Sequence, residues 1–296
     1  MPIQPPPSTD VARLIDEALA EDGGGTDLTS RLTARPDQTG AVDLVARRGG
    51  VFAGQAVCTG FIGRFGRSLH VELSIADGER FEAGARLGSL QGPLRTLGQV
   101  ERPLLNFLGR LCGVASLTRR YVQAVAGTPA EIYDTRKTIP GWRTLDKYAV
   151  RCGGGCNHRM GLHDAVLVKD NHLAAVPADE LERFVGDLAA RARRLSPAPA
   201  FVEIEVDSLE QLDAVLAARG VDVILLDNFA PQDLQRAVAR RNRSGSAALL
   251  EASGGITLDN VSAVAATGVD RIAIGALTHS ATGVDLGFDA SSCSSP

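Results

Sequence analysis

The chain has 296 residues, of which 44% are hydrophobic, and a formal net charge of -4 at pH 7. A chain of this length and composition can bury a large core, either as one large domain or as two smaller ones. The sequence pI near 5.8 and the 4% aromatic content argue against a nucleic-acid surface, which needs a basic field or stacking rings.

Two further features bear on the compartment. No apolar run approaches the roughly 20 residues of a membrane helix, and the start, MPIQPPPSTD, lacks the basic and apolar regions of a secretory signal. The five cysteines form an odd set without paired spacing, which is typical of a reducing compartment. We therefore expect a cytoplasmic protein without a membrane or nucleic-acid partner. Cys152 and Cys156 flank a GGG run but have no second pair at matching spacing, which disfavours a zinc site.

The first third of the chain predicts a small β-rich domain. Residues 1–9 are rich in proline, and we expect them to be disordered. From Asp10, a plausible cap, the sequence VARLIDEALAED has helical periodicity. Residues 41–98 consist of short alternating or apolar runs separated by glycine-rich turns, with a helix near residues 57–65. Residues 99–127 have apolar side chains at helical spacing and predict one helix or a bent pair, with Arg102 near its start.

Beyond Thr128 the pattern alternates between strands and helices. The apolar, strand-like runs are residues 131–135, 165–170, 201–207, 222–228, 248–254 and 271–275. Helical patterns lie at residues 142–151, 178–195, 209–218, 231–241 and 258–266. This alternation indicates a parallel sheet covered by helices, and no GxGxxG motif follows any strand. Six strands fall short of eight, so we predict an incomplete (β/α) barrel.

Polar or small residues follow each predicted strand, where barrel enzymes gather their active sites. In chain order, the strand ends carry Arg136 and Lys137, Lys169, Glu205, Asp227, Ser253-Gly254-Gly255, and Gly275-Ala276. The last two groups are the kind of loop whose N–H groups, with a helix N-terminus behind them, bind phosphate. Each residue alone could be a cap, an ion-pair partner or a plain turn, but six coincident strand ends favour one site.

The segment from Asp134 to His172 contains seven Lys or Arg side chains and four Asp. His158 and His172 lie beside these bases. Closely spaced cations repel one another unless an anion is present, so we interpret the segment as a socket for a multiply charged ligand. A solvated basic face is the alternative.

At this point the motifs become recognisable. DTRKT, CGGG followed by NHR, EIEVDSLEQL, ILLDNF, EASGGI and GVDRIAIGALTHSA resemble the quinolinate phosphoribosyltransferase family, the nicotinate-nucleotide pyrophosphorylases of NAD biosynthesis. The resemblance covers nearly the whole chain after the proline-rich start. It implies a type II phosphoribosyltransferase fold, with an N-terminal open-sheet α/β domain before the incomplete barrel. On that basis we place the first domain at residues 10–115, the barrel at 116–280 and a tail returning to the first domain at 281–296.

The implied reaction converts quinolinate and phosphoribosyl pyrophosphate to nicotinate mononucleotide, pyrophosphate and CO2. It requires Mg²⁺ and a homodimer with composite sites, to which Arg102 comes from the neighbouring subunit. Substrate-binding residues are expected to be Arg102, Thr135, Arg136, Lys137, His158, Arg159, Lys169, Glu205 and Asp227. Lys137, Glu205 and Asp227 are the expected catalytic residues. The two carboxylates would also hold Mg²⁺, directly or through water.

The chemistry suits these residue types. The two adjacent carboxylates of quinolinate call for guanidinium groups such as Arg136 and Arg159, while Lys137, Lys169 and His158 offer point charges or hydrogen bonds. The phosphate cradle is expected at Ser253, Gly254, Gly255, Gly275 and Ala276. Two positions depart from the family pattern, Trp142 and Cys156, and neither removes a charge.

Three alternatives remain open from the residues alone. The first is a related phosphoribosyltransferase that acts on another pyridine acid. A substrate with a single carboxylate would need fewer cations than the predicted socket provides. The second is a barrel aldolase with Lys169 as a Schiff-base nucleophile. The third is a non-catalytic sensor of a phosphorylated metabolite. Paired acids at strand ends would add little to the binding of such an anion but suit the charge of a transition state.

Overall fold

The structure, a computed structural model, describes residues 3–23 and 26–291. The chain forms two compact units. The first comprises Met1–Arg119, Thr138–Gly154 and Leu277–Pro296, and the second comprises Arg120–Lys137 and Gly155–Ala276. These limits differ from the expected barrel at residues 116–280, because residues 116–119, 138–154 and 277–280 belong to the first unit. Within the described residues, no helix has the length and apolar character needed to cross a membrane.

The helices and strands follow one another along the whole chain. In chain order they are α1 (Ser8–Glu21), α2 (Leu28–Thr33), β1 (Thr39–Ala46), β2 (Gly50–Val51), α3 (Gln55–Phe65), β3 (His70–Leu73), β4 (Arg80–Phe81), β5 (Arg86–Pro93), α4 (Leu94–Ala124), β6 (Glu131–Tyr133), α5 (Arg143–Gly153), β7 (Val166–Val168), α6 (Asp170–Leu173), α7 (Leu181–Ala192), β8 (Val202–Val206), α8 (Leu209–Ala217), β9 (Val223–Asp227), α9 (Pro231–Ser244), β10 (Leu249–Ser253), α10 (Val261–Ala265), β11 (Arg271–Ala273), α11 (Ala276–His279) and β12 (Leu286–Ala290).

An antiparallel sheet in the order β12-β1-β5-β3 forms the centre of the first unit, beside a two-stranded β2-β4 sheet. The last strand, β12, pairs along β1 from Val42 opposite Ala290 to Ala46 opposite Leu286. The remaining five residues of the predicted returning tail, 292–296, lie outside the described residues. The predicted helix or helix pair over residues 99–127 is one 31-residue helix, α4, which continues through Pro103.

The N-terminal region is more ordered than expected. Helix α1 begins at Ser8, after Pro7, so Ser8 and Thr9 are helical and the disorder predicted for residues 1–9 is wrong for these two. Asp10 lies in the first helical turn instead of capping it, where its negative charge is favourable beside the positive end of the helix dipole. Met1 and Pro2 lie outside the described residues.

A second helix in this region, α2, was not predicted. Asp27 caps it by accepting a hydrogen bond from Ser30 N–H at 3.0 Å. The sequence TDLTS carries this signal, an acidic cap three residues before a residue whose N–H needs an acceptor.

Helix α5 was predicted as a barrel helix, but its contacts lie in the first unit. Its Asp146 is fully buried and accepts a hydrogen bond from Arg110 Nη2 at 2.9 Å. Just before the helix, Trp142 stacks on Phe107 with ring centroids 4.7 Å apart. These contacts explain why residues 138–154 separate from the strands that flank them in sequence.

The second unit is the expected incomplete barrel. Its six strands are parallel and hydrogen-bonded in the order β6-β11-β10-β9-β8-β7. All five residues of β8 are buried, which is typical of a parallel sheet covered on both faces. Among the described residues, β6 and β7 are the two edge strands, so the barrel is open between them. At that edge Cys156 forms an isolated parallel bridge with Tyr133.

Candidate active site

A cavity of about 600 Å³ lies within the second unit. This volume suits a site for small molecules. Most of its polar lining comes from the carboxyl ends of the barrel strands, the position expected for a barrel active site. The lining residues are Thr135, Arg136, Lys137, His158, Arg159, Leu167, Lys169, Glu205, Leu225, Asp227, Asn228, Glu251, Ser253, Gly254, Gly255 and Ala273.

Two arginines give the cavity its strongest attraction for anions. Arg159 is only 8% exposed, and its Nη1 donates to Ala165 O at 3.2 Å. Burial lowers the pKa of Arg159, and the charge of nearby Arg136 lowers it further. A partly desolvated guanidinium beside a second cation is best stabilised by a bound anion. Arg136 itself is exposed on the loop after β6.

That loop also carries Thr135 and Lys137. Thr135 Oγ1 accepts a hydrogen bond from Lys137 N–H at 3.0 Å, which fixes the backbone of the turn. Both residues line the cavity, and Lys137 is exposed.

Lys169 and Glu205 form an ion pair across two neighbouring strands. Lys169 Nζ lies 2.9 Å from Glu205 Oε2, and the side chains are 49% and 10% exposed. Lys169 N–H also donates to His172 Nδ1 at 2.9 Å. The lysine therefore faces both a carboxylate and the cavity. A Schiff-base lysine needs its amine free to attack a carbonyl, whereas Lys169 Nζ is paired with Glu205, so the structure does not favour the aldolase interpretation.

Asp227, the last residue of β9, accepts a hydrogen bond from Asn228 Nδ2 at 2.7 Å. Asn228 adopts a positive φ of 58°, and its N–H donates to Ser253 O at 2.9 Å. Gly254 has a φ of +94°, and a Cβ there would collide with the Asn228 side chain. Close approach of these two strand ends therefore requires glycine at position 254.

His158 has protein partners at both ring nitrogens. Its Nδ1 accepts a hydrogen bond from Arg159 N–H at 2.8 Å, and its Nε2 lies 2.9 Å from Glu203 Oε2. Its backbone N–H donates to the buried carboxylate of Asp134 at 2.9 Å. The expected hydrogen bond from His158 to a ligand anion does not fit these contacts, because the ring is already engaged within the protein.

Some predicted site residues lie elsewhere. Arg102 is exposed on α4, in the first unit. The predicted anion socket included every base between Asp134 and His172. Three of these bases lie on α5, namely Arg143, Lys147 and Arg151, and Lys147 is 1% exposed. The expected socket is therefore smaller than the basic segment from which it was predicted.

The cavity is lined by part of the predicted phosphate cradle. The described lining of the cavity includes Ser253, Gly254 and Gly255 but not Gly275 or Ala276. The expected helix N-termini behind these loops are weak, because α10 has five residues and α11 has four.

Sequence reasoning missed two acidic residues, Glu203 and Glu251. Both side chains are 0% exposed, and Glu251 lines the cavity. Burial and the nearby charge of Glu203 raise the pKa of Glu251 well above its ordinary value. The signal for Glu203 was available in VEIEV, since residues two apart on a strand share a face and Glu205 was already assigned to the site.

Two of the predicted site residues have the chemistry to hold Mg²⁺. Glu205 and Asp227 both line the cavity, at the ends of neighbouring strands β8 and β9. One or two carboxylates, completed by water and substrate phosphate oxygens, are the usual protein contribution to a Mg²⁺ site.

Comparison with known proteins matches both parts of the chain. Residues 27–112 match the model of the quinolinate phosphoribosyl transferase N-terminal domain, and residues 114–289 match that of the C-terminal domain. A nicotinate-nucleotide pyrophosphorylase (carboxylating) from Mycobacterium leprae is 45% identical over 95% of this chain and 97% of its own. A quinolinate phosphoribosyltransferase (decarboxylating) from Nicotiana tabacum is 35% identical over 96% of this chain and 84% of its own. The solved nicotinate-nucleotide pyrophosphorylase of Francisella tularensis superposes with a TM-score of 0.86 at 35% identity, covering 98% of this chain and 99% of that one.

Proposed function

The chain belongs to the quinolinate phosphoribosyltransferase family, and from that premise we propose that it makes nicotinate mononucleotide, pyrophosphate and CO2 from quinolinate and phosphoribosyl pyrophosphate. This reaction belongs to de novo NAD biosynthesis. The observation that carries the proposal is one cavity lined by four basic side chains together with Glu205 and Asp227. Cations suit an acidic substrate, and the two carboxylates suit a transition state that develops positive charge.

Quinolinate binding is assigned to Arg136 and Arg159. Two adjacent carboxylates on a flat ring match the planar, two-pronged geometry of guanidinium groups. Burial of Arg159 strengthens such a contact, because less water competes for the charge. Leu167, Leu225 and Ala273 supply an apolar wall against which an aromatic ring can lie.

Phosphoribosyl pyrophosphate is assigned to the other polar lining residues of the cavity. The Ser253-Gly254-Gly255 turn has positive φ at both glycines, a backbone form that can turn N–H groups toward a phosphate. Lys137 and Lys169 supply point charges for the pyrophosphate. Mg²⁺, held by Glu205 and Asp227 directly or through water, would neutralise pyrophosphate charge.

In the first chemical step, the pyridine nitrogen attacks C1 of the ribose and the C1–O bond breaks. Its electron pair leaves with pyrophosphate. The sugar carbon gains positive charge as this bond lengthens, and the carboxylates of Glu205 and Asp227 stabilise that charge. Arg136 and Arg159 hold the ring so that its nitrogen faces C1, which removes the entropic cost of aligning two substrates.

In the second step, the carboxylate next to the ring nitrogen leaves as CO2. The electrons of its C–C bond pass into the pyridinium ring, and the ring carbon then takes up a proton. No side-chain nucleophile is needed, so the protein contributes mainly orientation and charge balance.

We also propose that the active protein is a homodimer in which Arg102 serves the site of the partner subunit. Arg102 is exposed, whereas Leu104, Leu105 and Phe107 beside it on α4 are buried. Mixing inactive Arg102→Ala with inactive Lys137→Ala protein should restore activity, because a mixed dimer contains one intact site. With random exchange about half the dimers are mixed, so about one site in four is intact. Zero activity, with subunit exchange confirmed by mass, would refute the shared site.

The function itself is tested by incubating the protein with quinolinate, phosphoribosyl pyrophosphate and Mg²⁺. The formation of nicotinate mononucleotide is followed by chromatography. Formation of this product at catalytic turnover supports the proposal. Tight binding of both substrates without product would favour the sensor interpretation instead.

A further inference from the structure

Two buried carboxylates lie beside the cavity without an assigned role. Glu203 on β8 and Glu251 on β10 are each 0% exposed. None of their four carboxylate oxygens has a hydrogen bond within the described residues, although His158 Nε2 lies 2.9 Å from Glu203 Oε2 and 3.5 Å from Glu251 Oε1. One ligand atom from each of the three residues lies within 4.8 Å of the other two. A buried carboxylate is costly unless a cation, a proton or a donor compensates for it.

A divalent cation would be one way to compensate, but the His158 ring argues against it. Its Nδ1 accepts the Arg159 N–H at 2.8 Å and therefore carries no proton. The single proton of a neutral imidazole must then lie on Nε2, the atom that faces Glu203 at 2.9 Å. A histidine that binds a metal through one ring nitrogen normally keeps a proton on the other. A metal at Nε2 of His158 would leave both ring nitrogens without a proton, because Nδ1 has none.

The same contacts give the ring a definite task. At 2.9 Å, Nε2–H is within donating distance of Glu203 Oε2, and such a contact selects the tautomer and the ring orientation, as carboxylates commonly do for functional histidines. Nδ1 then holds the backbone of Arg159. We propose that Glu203 is a positioning residue that acts through His158 to place Arg159 in the quinolinate site. This inference rests on the proposed function for the identity of the ligand.

Other contacts of this short segment support that role. Asp134, also 0% exposed, accepts the N–H of His158 at 2.9 Å and the side-chain amide of Asn157 at 2.6 Å. Asp134 therefore fixes the backbone at residue 158, and Glu203 fixes the ring. The guanidinium of Arg159 is held at its far end by Ala165 O. A freed His158 ring would leave the backbone of Arg159 without one of these supports.

The test compares two variants at one position. Glu203→Gln keeps an oxygen that can accept from Nε2–H, whereas Glu203→Leu has a similar size but no acceptor. We expect the Leu variant to raise the quinolinate Kd at least about tenfold, as for loss of a hydrogen bond to a charged group, and the Gln variant to stay within about threefold. Glu210→Leu, the same change at an exposed residue of α8, is the control.

Calorimetry with phosphoribosyl pyrophosphate separates positioning from general damage to the fold. We expect its Kd to change less than about threefold in both Glu203 variants, since the inference concerns Arg159 alone. An equal loss of affinity for both substrates in the Leu variant would mean a merely structural role. Parent affinity for quinolinate in a folded Leu variant would overturn the inference.

Nitrogen-15 NMR of the histidine rings tests the Glu203–His158 link without any ligand. The His158 signal is identified by its loss in His158→Asn. We expect a proton on Nε2 and none on Nδ1 in the parent and in the Gln variant. A proton on Nδ1 in the parent would overturn the inference, even if the Leu variant does not fold. If the parent fails to bind quinolinate while this tautomer is observed, the proposed function fails and the link between Glu203 and His158 stands.

Discussion

Arg159→Ala should separate substrate affinity from stability. Arg159 is 8% exposed and is the most buried Lys or Arg lining the cavity among the described residues. Removing a charged contact from such a site costs about 2–5 kcal/mol of binding free energy. At about 1.4 kcal/mol for each factor of ten, the quinolinate Kd should rise roughly 30-fold to several thousand-fold.

The expected change in the free energy of unfolding is much smaller. The variant loses the 3.2 Å hydrogen bond to Ala165 O, which contributes about 1 kcal/mol. It also loses the burial cost and the repulsion from Arg136, the two causes of the lowered pKa of Arg159. Because these effects oppose one another, we expect a net change within about 1 kcal/mol.

The assay is isothermal titration calorimetry with quinolinate, alongside denaturant unfolding. Arg159→Lys keeps a positive charge but cannot form a two-pronged contact, so its Kd should lie between those of the parent and the Ala variant. Arg183→Ala, on the exposed surface of α7, is the control. A folded Arg159→Ala protein that binds quinolinate like the parent would refute the assignment of the anion site.

Three further changes probe other parts of the cavity. Asp227→Asn should lower kcat by about 10²-fold or more with little change in quinolinate Kd in calorimetry, since it loses charge stabilisation in the transition state; the reverse pattern would make Asp227 a ground-state ligand. Gly254→Ala should weaken phosphoribosyl pyrophosphate binding and destabilise the fold by about 1–3 kcal/mol, because the new Cβ would collide with Asn228. In Gly255→Ala the new Cβ meets open space, so only backbone strain is expected. Equal melting temperatures for the two variants would contradict this. The raised folded-state pKa of Glu251 means that the native protein retains a proton above the ordinary value of 4.5, so parent stability should fall relative to Glu251→Gln as pH rises from 4.5 through the folded-state pKa. If the free energies of unfolding of the parent and of Glu251→Gln changed in parallel across that pH range, Glu251 would not be protonated in the native protein.

Much of the barrel could be predicted because its signals are local. Each parallel strand is buried on both faces and appears as a short apolar run, of which VILLD in β9 is an example. Because all six strands are parallel, the residues at their carboxyl ends gather at one end of the barrel. Lys169, Glu205 and Asp227 are therefore brought together as expected, although their chemical roles remain predictions.

The assignment of α5 to the first unit could not be predicted from its own sequence. Its periodicity predicts a helix correctly, but not which core buries it. That depends on partners distant in the chain, such as Arg110 for Asp146 and Phe107 for Trp142. The basic side chains of this helix were therefore counted with the anion site only because they are close to it in sequence.

The state of His158 was equally beyond the sequence. NHR places a histidine beside an arginine, but the direction of the ring depends on a carboxylate 45 residues away, Glu203. A ring nitrogen can serve a ligand or the protein, and only the three-dimensional contacts distinguish these uses.

The central claim is that the cavity selects a pyridine diacid and decarboxylates it. The most direct measurement compares quinolinate with nicotinate, the corresponding monoacid, at saturating phosphoribosyl pyrophosphate and Mg²⁺, while pyrophosphate and CO2 are quantified. We predict equal amounts of the two products from quinolinate, and a kcat/KM for nicotinate lower by about 10²-fold or more, because an arginine is left without its partner. Comparable turnover of nicotinate, or pyrophosphate release from quinolinate without CO2, would contradict the account.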